Sequence, residues 1–309
     1  MAQSIADKIK AKKQKEEAPP MSKEEALAFL RSKRTSLTNF DNSIIVLIGA
    51  WKNGKSICAL TISNQCPDEI PSKELVEIED TWVFMVDPGG HDGFAEMGLS
   101  VPYSDLSVTP EKLSDYEKKF DEEIAKVKEL VDLGIIKNVV FDSVSYYDDN
   151  VMAYLEKKYR NSSEKPWGEL RQIHTERFHK LRALGCRLIV CVHPAENIIW
   201  GSDGSEAQRK SKERQMISML PGNADFKMGI TGKSAGMYKG GGSLILPVVK
   251  ESVSQGLNQP KKDEYYIHLG PTKGLEGGVR LGRHLDPKQP AHLRRLLENI
   301  KSTQPTILS

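Results

Sequence analysis

The chain of 309 residues lacks several features that would assign it to common classes of protein. No apolar run approaches the roughly 18 residues that cross a membrane, so we expect no membrane partner. The N-terminus is charged rather than apolar, so no secretory signal is visible there. The four cysteines show no C-x-x-C spacing, which argues against a disulfide scaffold or a zinc site. These absences favour a cytoplasmic protein.

The formal net charge is only +2, but the charge is unevenly distributed. Residues 68–150 contain 21 acidic and 7 basic side chains, whereas residues 205–262 contain 4 acidic and 10 basic ones. Such asymmetry is compatible with a surface that faces nucleic acid. An ordinary solvated surface explains it equally well.

The most informative segment is 44–56, IIVLIGAWKNGKS, in which five apolar residues precede the phosphate-loop pattern G-x-x-x-x-G-K-[ST]. The apolar run predicts a buried parallel strand at 44–48, and 56–64 predicts a helix. A chance glycine-rich turn between a strand and a helix is the alternative. The predicted ATP site comprises Gly49, Ala50, Trp51, Lys52, Asn53, Gly54, Lys55, Ser56 and Ile57.

The pattern has a specific chemistry. The loop presents backbone N–H groups to the phosphates of a nucleoside triphosphate, and Gly49 and Gly54 allow the required backbone conformations. Lys55 is predicted to reach the β- and γ-phosphates, and the Ser56 hydroxyl to bind Mg²⁺. ATP and Mg²⁺ are therefore the predicted ligands.

An acidic residue follows another apolar strand in KNVVFDS, residues 137–143. We expect Asp142 to hold Mg²⁺ through water or through Ser56. A helix-capping aspartate is the alternative interpretation. With Lys55, Asp87 and His193, Asp142 completes the predicted catalytic set.

Two further strands end in polar residues, at the edge where α/β sheets place ligands. Asp87, His91 and Asp92 follow the strand predicted at 82–86; one of the acids, with Asp87 favoured, is expected to orient the attacking water. The alternative is a simple turn. His193 follows the strand predicted at 187–192, RLIVCV, and is expected to sense the γ-phosphate by hydrogen bonding, unless neighbouring backbone groups satisfy it.

Strands alternating with helices predict an α/β fold with a mostly parallel central sheet flanked by helices. Residues 1–40 are expected to form a basic arm with a short helix, 41–301 the ATPase domain and 302–309 a tail. Later strands, some of them antiparallel, are predicted at 226–230, 244–249 and 265–269. Helices are predicted at 110–133, 146–159, 167–184 and 291–300.

A second GKS, at residues 232–234, fails the phosphate-loop pattern because Lys227 stands where the first glycine is needed. The glycine-rich loop 232–242 contains Tyr238 and several lysines, which suit phosphate contact and base stacking on a single strand. A plain surface loop is the alternative.

These motifs in this order resemble the RecA-like ATPase core, and in particular small phage-encoded nucleotide-binding proteins linked to single-strand annealing and recombination. The segments that carry the resemblance are GAWKNGKS (49–56), DPGG (87–90), VVFDS (139–143), VCVHP (190–194) and GGVRLGRHL before the last helix. The resemblance implies ATP at 49–56, Mg²⁺ at Asp142, a sensor at His193, and DNA-binding loops after His193 and Gly232.

The resemblance also implies a trans-acting cation at a subunit interface, for which Lys273, Arg280 and Arg283 are candidates. One departure is important. The family carries a catalytic Glu just after the strand that ends at Asp87, whereas this chain has Pro-Gly-Gly. Hydrolysis is therefore expected to be slow, or to use Asp87 or Asp92.

We therefore expect an ATP-binding and ATP-hydrolysing protein that acts on single-stranded DNA in recombination, annealing or replication. We expect a homo-oligomeric ring or filament, with a single-strand-binding protein as a candidate partner. If the chain is phage-encoded, its location is the host cytoplasm. The alternatives are a nucleotide-gated protein-interaction module without DNA binding and a P-loop small-molecule kinase.

Overall fold

The computed structural model describes residues 22, 24, 43–49, 52–68, 75–162, 165–196, 216–218, 244–253, 262–269 and 285–302. The chain divides into two units, Met1–Asn39 and Phe40–Ser309, and all elements below belong to the second. The predicted domain boundaries stay predictions. Several predicted features lie outside the described residues: the basic arm and its helix, the strand at 226–230, the loop at 232–242, Ala50, Trp51, Lys273, Arg280 and Arg283.

In chain order, the strands of the described residues are β1 (Ile44–Ile48), β2 (Val76–Glu77), β3 (Thr81–Met85), β4 (Leu99–Ser100), β5 (Tyr103–Asp105), β6 (Asn138–Asp142), β7 (Arg187–Val192), β8 (Pro194–Glu196), β9 (Met216–Ser218), β10 (Leu244–Val253), β11 (Lys262–His268) and β12 (Lys288–Pro290). The helices are α1 (Lys55–Leu60), α2 (Gly90–Glu96), α3 (Leu113–Asp132), α4 (Val144–Lys158), α5 (Lys165–Arg182) and α6 (Leu293–Ser302). Within the described part of the chain, every helix is too short or too polar to cross a membrane.

Eight strands form the central sheet in the order β12-β11-β10-β1-β7-β6-β3-β5. The six strands from β10 to β5 run parallel, while β11 is antiparallel to β10 and β12 is antiparallel to β11. The structure thus confirms the predicted α/β class with its mostly parallel central sheet and flanking helices. It also confirms that some of the later strands are antiparallel.

The core lies on both faces of this sheet, because successive side chains of a strand point to opposite sides. On β1, Ile44, Val46 and Ile48 pack with residues of α3, α4 and α5, whereas Ile45 and Leu47 pack with residues of α1 and α6. All five residues of β1 are buried. A strand that is covered on both faces needs a continuous apolar run, which is why the sequence signal for β1 is strong.

The strand order determines where the site forms. Strand β7 lies between β1 and β6, and β3 lies on the far side of β6. The carboxyl ends of these four parallel strands therefore meet at one edge, separated by about 4.8 Å per strand. Each of the four segments with predicted functional residues leaves the sheet at this edge.

Three predictions of local structure need correction. The helix predicted at 56–64 ends at Leu60, where the Thr61 hydroxyl donates to the Cys58 carbonyl at 2.6 Å and accepts the Leu293 N–H at 2.8 Å. The chain then continues in tighter turns, with the Ile62 and Ser63 N–H groups donating to the Ala59 and Leu60 carbonyls. The segment after Asp87 is the short helix α2 rather than only a turn. The short edge strand β5 was missed, since three residues carry too little periodicity to detect.

Candidate functional site

The phosphate loop connects β1 to α1 and packs against β10. The Gly49 N–H donates to the Val192 carbonyl at 3.2 Å, which joins the start of the loop to the end of β7. The Asn53 side-chain amide donates to the Val248 carbonyl on β10 at 3.2 Å. Lys52 and Gly54 both have positive φ, 59° and 76°. Residues in this conformation turn consecutive N–H groups toward a common centre, which is the geometry that binds phosphate.

The two glycines of the motif are needed for different reasons. A Cβ at Gly49 would lie 2.5 Å from the Val248 carbonyl oxygen, so no larger residue fits without moving the backbone. Gly54 has a left-handed backbone, and a Cβ there would lie 2.8 Å from the Tyr265 ring. Sequence analysis missed Tyr265, because it lies on β11, far along the chain. Its aromatic ring is still 38% exposed beside the loop.

Lys55, the first residue of α1, is buried, with 5% of its surface exposed. Its Nζ donates to the Gly49 carbonyl at 2.9 Å and lies 3.2 Å from His193 Nδ1. Burial lowers the pKa of Lys55, and the neighbouring Asp142 and Asp87 carboxylates only partly oppose this effect. The structure therefore brings the predicted phosphate-binding lysine and the predicted sensor histidine into contact.

Asp142 ends β6 and is 2% exposed. The Ser56 side chain, at the start of α1, lies beside its carboxylate. Burial raises the pKa of Asp142, and the neighbouring Ser56 hydroxyl and Lys55 charge only partly oppose this effect. The two predicted Mg²⁺ ligands are thus neighbours. A side-chain cap of α4 is made by Ser143, which accepts the Tyr146 N–H, and not by Asp142.

Two adjacent oxygen donors fit Mg²⁺, which prefers hard oxygen ligands and is usually held by one or two protein groups with phosphates and water. The described residues contain no group of three or more His, Cys, Asp or Glu side chains that is placed to hold a metal. A dedicated all-protein cage is therefore not the arrangement seen in this part of the chain. Ser56 and Asp142 are the residues that would hold the ion, and their role as ligands stays a prediction.

His193 follows β7 and lies between Lys55 and Asp87. A lysine ammonium can only donate, so His193 Nδ1 is the acceptor and a neutral ring carries its proton on Nε2. This Nε2 atom lies 3.8 Å from Asp87 Oδ2. The other carboxylate oxygen of Asp87, Oδ1, is buried and has no hydrogen-bond partner among the described residues. Lys55, His193 and Asp87 thus form a row across the edge of the sheet.

The other two polar residues after β3 lie apart from this row. His91 and Asp92 are on α2, with 45% and 74% of their side chains exposed, and contact each other at 3.3 Å. The His91 ring also stacks on Tyr103 of β5, with centroids 5.6 Å apart. Of the two acids considered for orienting water, Asp87 is the one beside His193.

Sequence analysis also missed two residues in the first turn of α4. The Ser145 hydroxyl accepts the His193 N–H at 2.9 Å. The Tyr146 ring meets the His193 ring edge-on, with centroids 6.0 Å apart, and its side chain lies near the Asp87 carboxylate. Their position three and four residues after Asp142, at the start of a predicted helix, was the only available signal.

Comparisons with known proteins give a fold-level similarity only. No family model matches the chain, and no curated protein matches it. Among solved structures, a KaiC-like protein from the hyperthermophilic archaeon Pyrococcus horikoshii OT3 is similar, with a TM-score of 0.35 and 10% identity. The similarity covers 77% of this chain and 89% of that chain. At this level it carries no information on activity, so we base the function on the contacts of the site.

Proposed function

We propose that this chain binds ATP with Mg²⁺ at the edge described above, hydrolyses it, and acts on single-stranded DNA in recombination, annealing or replication. The observation that carries the nucleotide part is the contact between Lys55 and His193, next to the Asp142–Ser56 pair and in line with Asp87. A lysine that is buried at the start of a helix after a glycine-rich loop, and is held by a carbonyl and an imidazole rather than by a carboxylate, is placed to receive a phosphate.

Phosphate binding follows from the loop and Lys55. The loop N–H groups bind the phosphate oxygens, and the Lys55 ammonium binds the β- and γ-phosphates. Ser56 and Asp142 hold Mg²⁺, which supplies positive charge to the phosphate oxygens when bound. Because burial lowers the pKa of Lys55, the anionic phosphates provide the charge that makes the protonated amine favourable there.

Asp87 is the proposed group that orients the attacking water. Its buried Oδ1 atom is open to a hydrogen bond, and its Oδ2 atom faces His193. The water oxygen bonds to the γ-phosphorus, the bond from that phosphorus to the bridging oxygen breaks, and ADP and phosphate leave. The water proton passes to Asp87 and on to solvent. An aspartate has a shorter reach than the missing Glu, so we expect slow turnover.

His193 is the proposed sensor, because it shares the Lys55 ammonium with the nucleotide. A γ-phosphate attracts the Lys55 amine away from His193 Nδ1, since a charged acceptor forms the stronger hydrogen bond. The freed ring then changes its own contacts, and the chain directly after it forms β8 and leads toward the predicted DNA-binding loop. Nucleotide state would in this way set DNA affinity.

DNA binding is supported by charge. The basic character of residues 205–262 suits the electrostatic contact with phosphates that dominates non-specific binding. The acidic stretch at 68–150 complements it, which favours stacking of subunits into a ring or filament. A trans-acting Lys273, Arg280 or Arg283 and a single-strand-binding protein partner belong to the same proposal.

The decisive experiment measures ATP turnover with and without single-stranded DNA for the wild type, Lys55→Ala and a control, Lys118→Ala. Lys118 is an exposed lysine on α3, outside the site. We expect turnover that rises with DNA, disappears in Lys55→Ala and persists in Lys118→Ala. Equal loss in both variants would contradict the assigned role of Lys55.

A second function has one observation in its favour, the Pro-Gly-Gly that stands where the family has its catalytic Glu. A nucleotide-gated interaction module binds ATP but needs no turnover. Fluorescence titration with a labelled single strand at two salt concentrations separates the two functions. DNA affinity that depends on ATP and falls with salt supports the DNA-acting protein, whereas ATP binding without DNA affinity supports the module.

A further inference from the structure

Tyr265 of β11 places an aromatic ring directly beside the phosphate loop. A Cβ at Gly54 would lie 2.8 Å from the Cδ1 atom of this ring and 3.2 Å from its Cε1 atom, so one edge of the ring packs against the backbone of the glycine. Tyr265 is nevertheless 38% exposed. A ring that is fixed along one edge and partly open to solvent can accept a second flat group.

The pairing of β10 with β11 explains the position of this ring. Val248, whose carbonyl accepts the Asn53 amide, pairs with Ile267, and Lys250 pairs with Tyr265 two residues nearer the carboxyl end of β10. Alternate residues of a strand share a face, so Tyr265 lies on the same face as Ile267, which packs in the core with residues of α1. The ring is therefore on the face of the sheet that carries α1, beside the start of that helix.

A charged residue of the neighbouring strand flanks the ring. Lys250 Nζ lies 6.0 Å from the centroid of the Tyr265 ring and 2.5 Å from the Asp263 carboxylate. A cation at this distance is attracted to the face of an aromatic ring. The ring is thus held by Gly54 and Lys250 without any ligand, and a ligand that stacks on a pre-ordered ring loses less free energy in ordering it.

The strand order determines on which side of the loop the nucleoside lies. Asp87 follows β3, on the side of β1 where β7 and β6 lie, whereas β10 and β11 are on the other side. In-line attack on the γ-phosphorus requires the water and the leaving ADP to be on opposite sides of that atom. With the water at Asp87, the nucleoside extends away from β7 and toward β10 and β11. The exposed ring of Tyr265 is on that side.

We infer that Tyr265 binds the base of the nucleotide by stacking, an inference that rests on the proposed function and extends it from the phosphates to the nucleoside. The loop and Lys55 recognise phosphates, which any triphosphate offers. The Tyr265 ring adds a contact that a bare phosphate chain does not offer, since every base has a π-face. The ligand class of this site is therefore a nucleoside triphosphate rather than an inorganic polyphosphate.

The test compares two ligands by calorimetric titration with Mg²⁺, the non-hydrolysable imido analogue of ATP and inorganic tripolyphosphate. Tyr265→Ala should lower the affinity for the nucleotide about tenfold, the size of one lost stacking contact, and change the affinity for tripolyphosphate less than about twofold. Tyr265→Phe keeps the ring and should bind both ligands as the wild type does. The matched control is Tyr266→Ala, which removes a ring from the opposite face of the same strand and should leave both affinities unchanged.

A further variant separates stacking from support of the loop. Tyr265→Leu keeps an apolar side chain beside Gly54 but has no π-face, so it should lose nucleotide affinity as Tyr265→Ala does. An equal loss for nucleotide and tripolyphosphate would overturn the inference, because the ring would then only support the Gly54 backbone. Unchanged nucleotide affinity in both variants would overturn it as well. Thermal unfolding confirms that each variant is folded.

The wild type by itself distinguishes failure of this inference from failure of the proposed function. Equal affinities for the nucleotide and tripolyphosphate would reject the base contact and retain the phosphate site. A wild type that binds neither ligand would reject the proposed function, and the base contact with it. Tighter binding of the nucleotide, lost in Tyr265→Ala, supports the inference whether or not the protein hydrolyses ATP or binds DNA.

Discussion

Two clusters of buried charged side chains differ in how their charges are paired. The helix cluster joins α5 to α3: the Arg177 guanidinium, 1% exposed, pairs with Glu117 and, at 2.6 Å, with Asp121. It also lies 4.2 Å above the Phe120 ring. Every strong partner in this cluster is an opposite charge or an aromatic face, and the contacts are short.

The edge cluster, formed by Lys55, Asp87, Asp142 and His193, is arranged differently. The Lys55 amine is shared between a carbonyl and an imidazole, and the closest approach of His193 to Asp87 is 3.8 Å, too long for a hydrogen bond. Burial, the largest influence on both cations, lowers the pKa of Lys55. For Arg177 the same influence is outweighed by Tyr147 and Glu117, so its pKa is raised.

This difference in pairing distinguishes a cluster that stabilises the fold from a cluster that can bind a ligand. A cluster whose charges are neutralised within the chain stabilises the fold and has nothing left to bind. A cluster whose cation is disfavoured by burial, and whose carboxylates are held nearby without full pairing, is prepared to receive an ionic ligand. The following predictions test this contrast, from the largest expected effect to the smallest.

Arg177→Ala should lower the free energy of unfolding by about 3 kcal/mol, because it leaves two carboxylates without their shared partner and exposes the Phe120 ring. Urea unfolding measures this change. The control is Lys180→Ala, which removes the exposed partner of the same Asp121 and should change stability by less than about 1 kcal/mol. Equal effects would mean that burial does not distinguish the two cations.

Lys55→Met should show the opposite pattern. We expect the affinity for ATP to fall about a hundredfold, the loss of a charged contact to two phosphates. The midpoint of thermal unfolding without nucleotide should stay the same or rise, because an uncharged side chain of similar volume suits the buried position better. Calorimetric titration and thermal unfolding give the two quantities. A strongly destabilised Lys55→Met protein would mean that Lys55 stabilises the fold as Arg177 does. That result would contradict the distinction between the helix cluster and the edge cluster.

Gly49→Ala tests the contact between the loop and β10. Its Cβ would lie 2.5 Å from the Val248 carbonyl oxygen, so the loop must shift, and ATP affinity should fall about tenfold. Gly93→Ala is the matched control, because nothing lies within 4 Å of the corresponding Cβ on α2. That variant should bind ATP as the wild type does, as measured by the same titration.

Asp68→Asn should have the smallest effect, and one that depends on pH. Hydrogen bonds from Arg295 and Arg294 lower the pKa of Asp68 to about 2. The folded-state pKa lies below the unfolded one, so the stabilisation is present above about pH 4 and is lost as the pH falls toward 2. Thermal midpoints of wild type and variant should therefore differ slightly at pH 7 and converge on acidification. A constant difference would show that charge is not the cause.

The sequence predicted the parts of the fold whose signals are local. Strands β1 and β7 have the predicted bounds, since buried parallel strands are continuous apolar runs. Helices α3, α4, α5 and α6 were each predicted within three residues at either end. The strands β5 and β12 have three residues each and gain their hydrogen bonds only from neighbours in the sheet, so no local pattern marks them.

The residues of the candidate site likewise fall into those with a local sequence signal and those without one. The phosphate-loop motif and the polar residue after each strand could be recognised because they depend on spacing along the chain. The roles of Tyr146, Ser145 and Tyr265 could not, because an aromatic or hydroxyl residue in a helix or strand has no distinctive pattern. Their importance comes from contacts with Asp87, His193 and the phosphate loop.

By itself, then, the sequence determined the phosphate loop, the strands that end at it and beside it, and the residue types that leave them, since these are properties of neighbouring residues. The tertiary structure alone decided that Lys55 and His193, 138 positions apart, lie 3.2 Å from each other. The physical reason is the strand order, which places β7 between β1 and β6. Packing of apolar faces over the whole domain selects that order, and no short stretch of the chain contains it.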